Sequence, residues 1–346
     1  MSAPTGFQHR LAVESANGRF VGRSTAVITE VAAGLRSYAV NGIDLVESFA
    51  ETATPPMAAG IVLVPWPNRI RDGRWTQGGV TRQLAITEPV MQNASHGLLR
   101  FMPYRRVAGS ENSVTLAATI FPQSGYPFHL ETTVEYTLTP GGLVVTHGVH
   151  NVGADAAPYV VGAHPYLQIA GVPTSELTVE VSAATRILVD ERRNPIGQES
   201  VDGTPQDLRD GKVVGALDLD DGYADVTMAA GRVEHRLTAP DGRALTLWGD
   251  ENMRYVQVFT PRSFPTTVGP VGPDGADGAD GAAPAPATHQ AIAIEPMTAP
   301  ANAFNSGAGL RWLQPGDRWS VSWGISHHGF SSPPEPTAAS GAESGN

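Results

Sequence analysis

Short runs of alternating apolar and polar residues recur along the chain, with the two-residue period of a β-strand. Residues 113–121 (SVTLAATIF) and 132–139 (TTVEYTLT) show the pattern, which continues to about residue 326. Successive side chains of a strand point to opposite faces of its sheet, so this period indicates sheets with one apolar face. Turn pairs such as Asp241-Gly242 separate the runs, and helix patterns with caps are scarce. The sequence therefore predicts an all-β protein.

The strand pattern keeps the same character throughout, so we predict a single domain over residues 1–330. Residues 266–288 depart from it, because Gly stands at every third position from Gly269 to Gly281. These triplets carry too little apolar surface to offset the entropy of ordering, so we predict a low-complexity, mobile surface loop inserted between two strands. Residues 331–346 are predicted to form a disordered tail.

Composition supports this prediction and excludes several functions. Of 346 residues only 16% are charged, whereas Gly numbers 38 and Pro 28, a balance typical of turns and short strands. A formal net charge of -11 offers no positive field for nucleic acid or an anionic membrane, so neither is an expected partner. The absence of cysteine excludes disulfides and thiol catalysis. The chain has no apolar region of signal-peptide length near its start and no run of 18 apolar residues, so we expect a soluble, cytoplasmic protein.

Glu295 is the only ionisable residue in the segment AIAIEPMTAPANAF. If this segment is a strand, Ala293 and Glu295 share one face while Ile292 and Ile294 face the core. Desolvation at such a position would raise the pKa of the carboxylate, which suits a general base. A buried ion pair, for example with Arg69, is the structural alternative.

Two histidines lie in segments that would hold them rigidly. His164 follows a strand-like run and precedes Pro165, which favours an extended backbone before it. His96 precedes Gly97, which permits a tight turn or a close approach of a ligand. A half-buried histidine bonded to backbone is the alternative for His164. A metal site is disfavoured, because no pair has short ligand spacing and no cysteine contributes.

Arg69 and the Asp220-Asp221 pair are further candidates for ligand binding. Arg69 lies close to Trp66, and a planar guanidinium beside an aromatic ring suits a polyhydroxylated ligand. A surface ion pair with Asp72 is the alternative. For the two aspartates, in the segment LDDGY, the alternative is a simple turn.

Six segments together resemble the aldose 1-epimerase (galactose mutarotase) family. In chain order they are PWPNRIRDGRW, ASHGLLR, GAHPYL, LDDGYADV, YVQVFT and EPMTAPANAF, and the resemblance covers about residues 8–326. It implies a large antiparallel β-sandwich with a sugar site on one sheet face, and catalysis without a metal or an organic cofactor.

The resemblance also implies roles for individual residues. Glu295 corresponds to the general base that takes the proton from the anomeric hydroxyl, and His164 to the general acid that protonates the ring oxygen. The residues expected to bind the sugar are Arg69, His96, Asp220, Asn68 and Gln257. The expected partner is a small-molecule sugar, a free hexose such as glucose or galactose, and both a monomer and a homodimer are compatible with this activity.

Four other functions stay open at this point. One is the isomerisation of a different keto sugar or sugar acid by the same fold. A hexose-6-phosphate mutarotase would use Arg71 and Arg74 to hold the phosphate. A sugar-binding or regulatory protein could keep the pocket without turnover, although the presence of both His164 and Glu295 favours an enzyme. A glycosidase is less favoured, because it needs two carboxylates flanking the bond.

Overall fold

The computed structural model describes residues 3–15, 21–266 and 287–330, and its regular structure is almost entirely antiparallel β-sheet. Apolar residues of the three larger sheets share one continuous hydrophobic cluster, so the sheets pack face to face around a common core. The predicted all-β fold, a large antiparallel β-sandwich, is confirmed.

The largest sheet has ten strands, and alternation along them decides which side chains enter the core. In Leu130–Thr139, for example, Val134, Tyr136 and Leu138 are buried while the intervening residues reach the surface or are partly covered. Met228–Ala229 pairs at the side with Arg232–Thr238. The other nine strands follow in the spatial order Arg105–Gly109, Ser113–Ile120, Leu130–Thr139, Gly142–Asn151, Arg318–His328, Ala244–Asp250, Arg232–Thr238, Thr178–Val181 and Lys212–Val213.

The second sheet has eight strands and carries Asp220, Gln257 and Glu295 of the residues singled out above. Tyr166–Leu167 pairs at the side with Ile292–Met297. The remaining strands follow in the spatial order Pro195–Ser200, Ala183–Val189, Asp220–Val226, Tyr255–Phe259, Ile292–Met297, Gly162–Ala163 and Val62–Leu63.

Ile292–Met297 is an interior strand of this sheet, and both of its faces are buried. Ile292 and Ile294 lie in the main core, as the sequence predicted, whereas Ala293 belongs to a smaller cluster on the other face. Glu295 therefore lies on a strand that is held firmly from both sides.

Smaller elements close the ends of the two large sheets. The N-terminal part forms a four-stranded sheet of Gln8–Ser15, Gly22–Thr29, Leu35–Val40 and Ile43–Asp44. Strand pairs are Ala157–Tyr159 with Arg311–Leu313, Phe264–Pro265 with Thr288–His289, Arg69–Arg71 with Asn93–Ser95, and Arg74–Gln77 with Val80–Gln83. The helical turns are the α-helix Ala303–Ser306 and the 3-10 turns Pro56–Ala58, Thr174–Glu176 and Val214–Ala216. No helix in the described parts of the chain is long and apolar enough to cross a membrane.

Most of the segment predicted as an inserted loop, residues 266–288, lies outside the described residues, and so does the predicted tail, residues 331–346. The two ends of the insertion are described and lie side by side, because Phe264–Pro265 pairs antiparallel with Thr288–His289. Thr266 extends this ladder by donating its backbone N–H to the oxygen of Ala287 at 2.7 Å. The insertion therefore begins and ends at one place on the surface.

Candidate active site

A cavity of about 390 Å³ at the eight-stranded sheet brings together residues from segments that are distant in sequence. A larger cavity of about 810 Å³ lies beside the N-terminal strand but holds none of the residues predicted to act on a ligand. We place the site in the smaller cavity, because six of the seven residues predicted to act on a ligand line it. Its lining residues are Pro55, Met57, Ala58, Asn68, Arg69, Thr87, Glu88, Ser95, His96, Arg100, His164, Asp220, Phe259 and Glu295.

Glu295 lies at the inner wall of this cavity. Glu295 is only 2% exposed, and its Oε1 lies 3.4 Å from Nε2 of His164. The other carboxylate oxygen, Oε2, is buried without a hydrogen-bond partner in the described chain. Burial raises the pKa of Glu295 well above its usual value; the nearby Asp220 raises it further, and Arg69 opposes the shift. The ion pair with Arg69, the alternative set against the base in the sequence analysis, is not formed as a direct contact.

His164 is held by its backbone and by ring stacking. Its N–H donates to the oxygen of Ile61 at 3.2 Å, and its oxygen accepts from the N–H of Gly60 at 2.8 Å. The imidazole stacks on Tyr166 with ring centroids 5.1 Å apart, and its Nδ1 has no partner among the described residues. Burial lowers the pKa of His164 to about 3. The imidazole of the free site is therefore neutral at pH 7.

His96 stands in a tight loop at the side of the same cavity. Its φ is 60°, and the φ of the following Gly97 is 74°, a region that side chains disfavour. A Cβ at Gly97 would lie 1.9 Å from the oxygen of Val64, so only glycine fits there. The His96 N–H donates to the oxygen of Asn68 at 2.8 Å, and its ring lies edge-on to that of His164, with centroids 5.6 Å apart. Burial, followed by the neighbouring positive charges, lowers the pKa of His96 well below its usual value.

The described residues contain no group of three or more His, Asp or Glu side chains that could hold a metal ion.

Arg69 reaches the cavity from the short strand Arg69–Arg71. Its guanidinium forms two hydrogen bonds with Glu88, from Nε at 2.8 Å and from Nη2 at 2.9 Å. Nη1 lies 3.4 Å from Oδ1 of Asn68. The ion pair with Asp72, considered in the sequence analysis, is absent among the described contacts, since Asp72 binds Arg192 at 2.7 Å.

Of the adjacent aspartates, Asp220 lines the cavity and Asp221 does not. Asp221 is buried elsewhere against Arg186, whose Nη2 lies 2.8 Å from Oδ1. Gln257 donates from Nε2 to Oδ1 of Asp220 at 2.7 Å, and Arg193 lies 3.5 Å from Oδ2. Gln257 therefore lies behind Asp220 and outside the cavity lining, unlike the other predicted site residues.

Arg71 and Arg74, which the phosphate alternative required, do not line the cavity. Arg71 binds Asp190 at 2.8 Å, and Arg74 donates to Oε1 of Gln83 at 2.8 Å. The expectation that Arg71 and Arg74 hold a phosphate in this cavity is corrected, because both guanidinium groups bind side chains outside it.

Two charged residues of the cavity were missed in the sequence analysis. Arg100 makes no ion pair in the described chain; its Nη1 is 3.4 Å from the oxygen of Ser95, and its Nε is buried without a partner. The sequence could have indicated Arg100, because it ends the segment SHGLLR that contains His96. Glu88 stands in an ordinary loop segment, and no pattern marks it.

This combination, a large antiparallel β-sandwich with a buried carboxyl–imidazole pair in a polar cavity, is compatible with an enzyme. The family model for aldose 1-epimerase matches residues 20–326. The chain belongs to the aldose 1-epimerase family, and it is an isomerase with a mutarotase-type activity.

The chain is also similar to individual proteins in sequence and in structure. The chain is 32% identical to the uncharacterized protein YihR of Escherichia coli K12 over 292 residues, which cover 84% of this chain and 86% of that protein. It is 31% identical to mouse galactose mutarotase over 160 residues, 43% of this chain and 45% of the mouse protein. Among solved structures, the GalM/aldose epimerase homologue of Caenorhabditis elegans superposes with a TM-score of 0.74 at 19% identity, covering 93% of this chain and 99% of that one. The last comparison supports the fold alone.

Proposed function

We propose that the protein interconverts the α and β anomers of a free hexose, such as glucose or galactose, with Glu295 as general base and His164 as general acid. The observation that carries this proposal is the contact of 3.4 Å between Glu295 Oε1 and His164 Nε2 in a ligand-sized cavity. Both side chains are almost fully buried, and each has a second polar atom without a partner in the described chain. The galactose mutarotases among the relatives support galactose as one substrate.

The reaction needs two proton transfers. Glu295 takes the proton from the anomeric hydroxyl, while His164 gives a proton to the ring oxygen, and the bond between C1 and the ring oxygen breaks. Rotation about the bond between C1 and C2 turns the resulting aldehyde, and ring closure on its other face returns both protons. Each positioned proton transfer contributes about a hundredfold to ten-thousandfold.

Burial sets where a proton held by the pair lies before sugar binds. Because burial raises the pKa of Glu295 and lowers that of His164, such a proton favours the carboxyl group. The working form has the same number of protons, with the proton on the imidazole instead. A sugar hydroxyl that donates to Glu295, with Arg69 nearby, favours that form.

The remaining groups of the cavity suit a sugar. Asp220 accepts hydrogen bonds from hydroxyls, and Arg69 and Asn68 donate to sugar oxygens. His96, kept neutral by burial, offers one donor and one acceptor. The proposed partner is a small-molecule sugar, and the reaction uses no organic cofactor.

A hexose 6-phosphate is the second candidate substrate, and Arg100 is the observation that favours it. Its guanidinium lines the cavity without a carboxylate partner in the described chain, so it could bind a phosphate. The net charge of -11 acts weakly in the opposite direction.

Polarimetry or NMR of freshly dissolved α-glucose, α-galactose and glucose 6-phosphate tests the proposal. We expect wild type to accelerate anomer interconversion, and Glu295→Gln and His164→Asn to lose at least about a hundredfold of that acceleration. Glu131→Gln and His328→Asn are matched controls, because both residues are exposed on the largest sheet.

Wild type that accelerates none of these sugars would refute the proposed substrates, and sugar binding without turnover would favour a binding protein instead. Equal rates in wild type and both site variants would refute the two catalytic roles.

A further inference from the structure

Glu88 lines the cavity beside Arg69, and its side chain is bound to the guanidinium group of that residue. The two carboxylate oxygens of Glu88 accept hydrogen bonds from Nε and Nη2 of Arg69, at 2.8 and 2.9 Å. The side chain of Arg69 is 17% exposed and that of Glu88 is 26% exposed. Water therefore screens the attraction between their charges less than in a surface ion pair. Two parallel hydrogen bonds fix both the position and the plane of a guanidinium group.

This arrangement decides which edge of Arg69 can face a ligand. Glu88 occupies the edge formed by Nε and Nη2, so the two hydrogens of Nη1 and the second hydrogen of Nη2 remain as donors. Nη1 makes only a long contact of 3.4 Å with Asn68 Oδ1, a residue that also lines the cavity. Without Glu88, the long arginine side chain could rotate and present any of its five donors.

The charge of Glu88 also raises the pKa of Arg69, against the effect of burial. Burial alone would lower the pKa of Arg69, but its hydrogen bonds to Glu88 and the nearby carboxylates of Asp220 and Glu295 raise that pKa. Glu88 is the only one of these three carboxylates that touches the guanidinium within the described contacts.

The loop that carries Glu88 is well anchored. The N–H groups of Thr87 and Glu88 both donate to the oxygen of Asn93, at 3.2 and 3.1 Å, and Asn93 donates back to Glu88 at 3.3 Å. The Asn93 side chain donates to the oxygen of Arg192 at 2.9 Å. A carboxylate on such a loop can hold its partner in one orientation.

We propose that Glu88 is a positioning residue, which orients the Arg69 guanidinium so that its Nη1 edge meets the oxygen atoms of the sugar. This inference rests on the proposed function, since it assigns a role within the same site. Both carboxylate oxygens of Glu88 are already bound to Arg69, so we expect Glu88 to act mainly through Arg69.

A double-mutant cycle separates this role from a structural one. The four proteins are wild type, Glu88→Ala, Arg69→Ala and the double variant, and kcat/KM for anomer interconversion is measured for each. We expect Glu88→Ala alone to lower kcat/KM about 10- to 100-fold, as expected for a misplaced binding group. In the Arg69→Ala background, the same change should have less than about a twofold effect, because the residue through which Glu88 acts is gone.

Two further variants exclude a general loss of stability. Glu88→Gln keeps one of the two acceptor oxygens, so its kcat/KM should lie between those of wild type and Glu88→Ala. Glu199→Ala breaks a comparable pair with Arg186, 3.3 Å long and outside the cavity, and should leave kcat/KM unchanged. Thermal unfolding of every variant shows which proteins are folded under assay conditions.

A change of less than twofold in Glu88→Ala, or equal losses in the wild-type and Arg69→Ala backgrounds, would overturn the positioning role. The same cycle is also measured as sugar affinity by calorimetry, with galactose as the probe. If wild type binds galactose without accelerating its interconversion, the proposed reaction fails while the affinities still decide the role of Glu88. If wild type neither binds nor converts any sugar of the panel, both proposals are refuted.

Discussion

Burial of His164 contributes to the pH dependence of this protein's stability, and His164→Asn should remove that contribution. The folded-state pKa of about 3 lies below the unfolded value of 6.5. Between these values the unfolded chain binds more protons at this residue than the folded protein does. The free energy of unfolding therefore falls as pH is lowered from about 6.5 towards 3. For one proton, the free energy of unfolding changes by about 1.4 kcal/mol per pH unit. His164 therefore lowers the free energy of unfolding by about 2 kcal/mol at pH 5 relative to pH 8.

Urea unfolding at pH 8, 6.5 and 5 measures this effect as a difference between wild type and His164→Asn. As pH falls from 8 to 5, the free energy of unfolding of the variant should rise by about 2 kcal/mol relative to that of wild type. Glu295, whose raised pKa acts in the opposite direction, is present in both proteins, so its contribution largely cancels in the difference. The exposed His328, replaced by Asn, provides the control and should follow wild type. Parallel curves for wild type and His164→Asn would show that the imidazole is not desolvated as described.

Three more substitutions test the walls of the site. Tyr166→Ala should cost about 3–5 kcal/mol in urea unfolding and lower mutarotation, because the 1%-exposed ring stacks on His164, whereas Tyr166→Phe should keep most of both. Gly97→Ala should cost more than about 1 kcal/mol in thermal unfolding, because φ is 74° and the new Cβ would lie 1.9 Å from the oxygen of Val64; an unchanged melting temperature would contradict this geometry. Arg71→Ala should leave the KM for glucose 6-phosphate within about twofold of wild type in a coupled assay, because Arg71 lies outside the cavity; a KM raised tenfold would restore its role in phosphate binding.

The fold class and the surroundings of Glu295 could be predicted from the sequence, because both depend on local alternation. A two-residue period determines which side chains share a face, and Ile292 and Ile294 do lie in the core on one face of their strand. The same rule cannot state which strands pair. The register that sets Gln257 opposite Glu295 joins residues 38 positions apart, and it is determined by packing of the whole sheet.

The arginines of the segment PNRIRDGRW show where local inference ends. Arg69 and Arg71 share one three-residue strand, but long-range partners decide what each does. Glu88, in a loop, holds Arg69 at the cavity, whereas Asp190, 119 positions along the chain, holds Arg71 away from it. No sequence pattern around Glu88 or Asp190 predicts these contacts, because they depend on how separate loops meet in the folded protein.

The unpaired polar atoms of the cavity favour a polyhydroxylated ligand over an apolar one. Oε2 of Glu295, the Nδ1 atoms of His164 and His96, and Nε of Arg100 are all buried without partners in the described chain. Each such atom costs about 1–3 kcal/mol, which the fold tolerates only if other contacts offset it. An apolar ligand would leave that cost in place, whereas a sugar presents donors and acceptors around its whole ring. Binding energy is thus available at Glu295 and His164, the two residues proposed to move the protons, so the affinity for sugar and the rate of anomer exchange should fall together when either is removed.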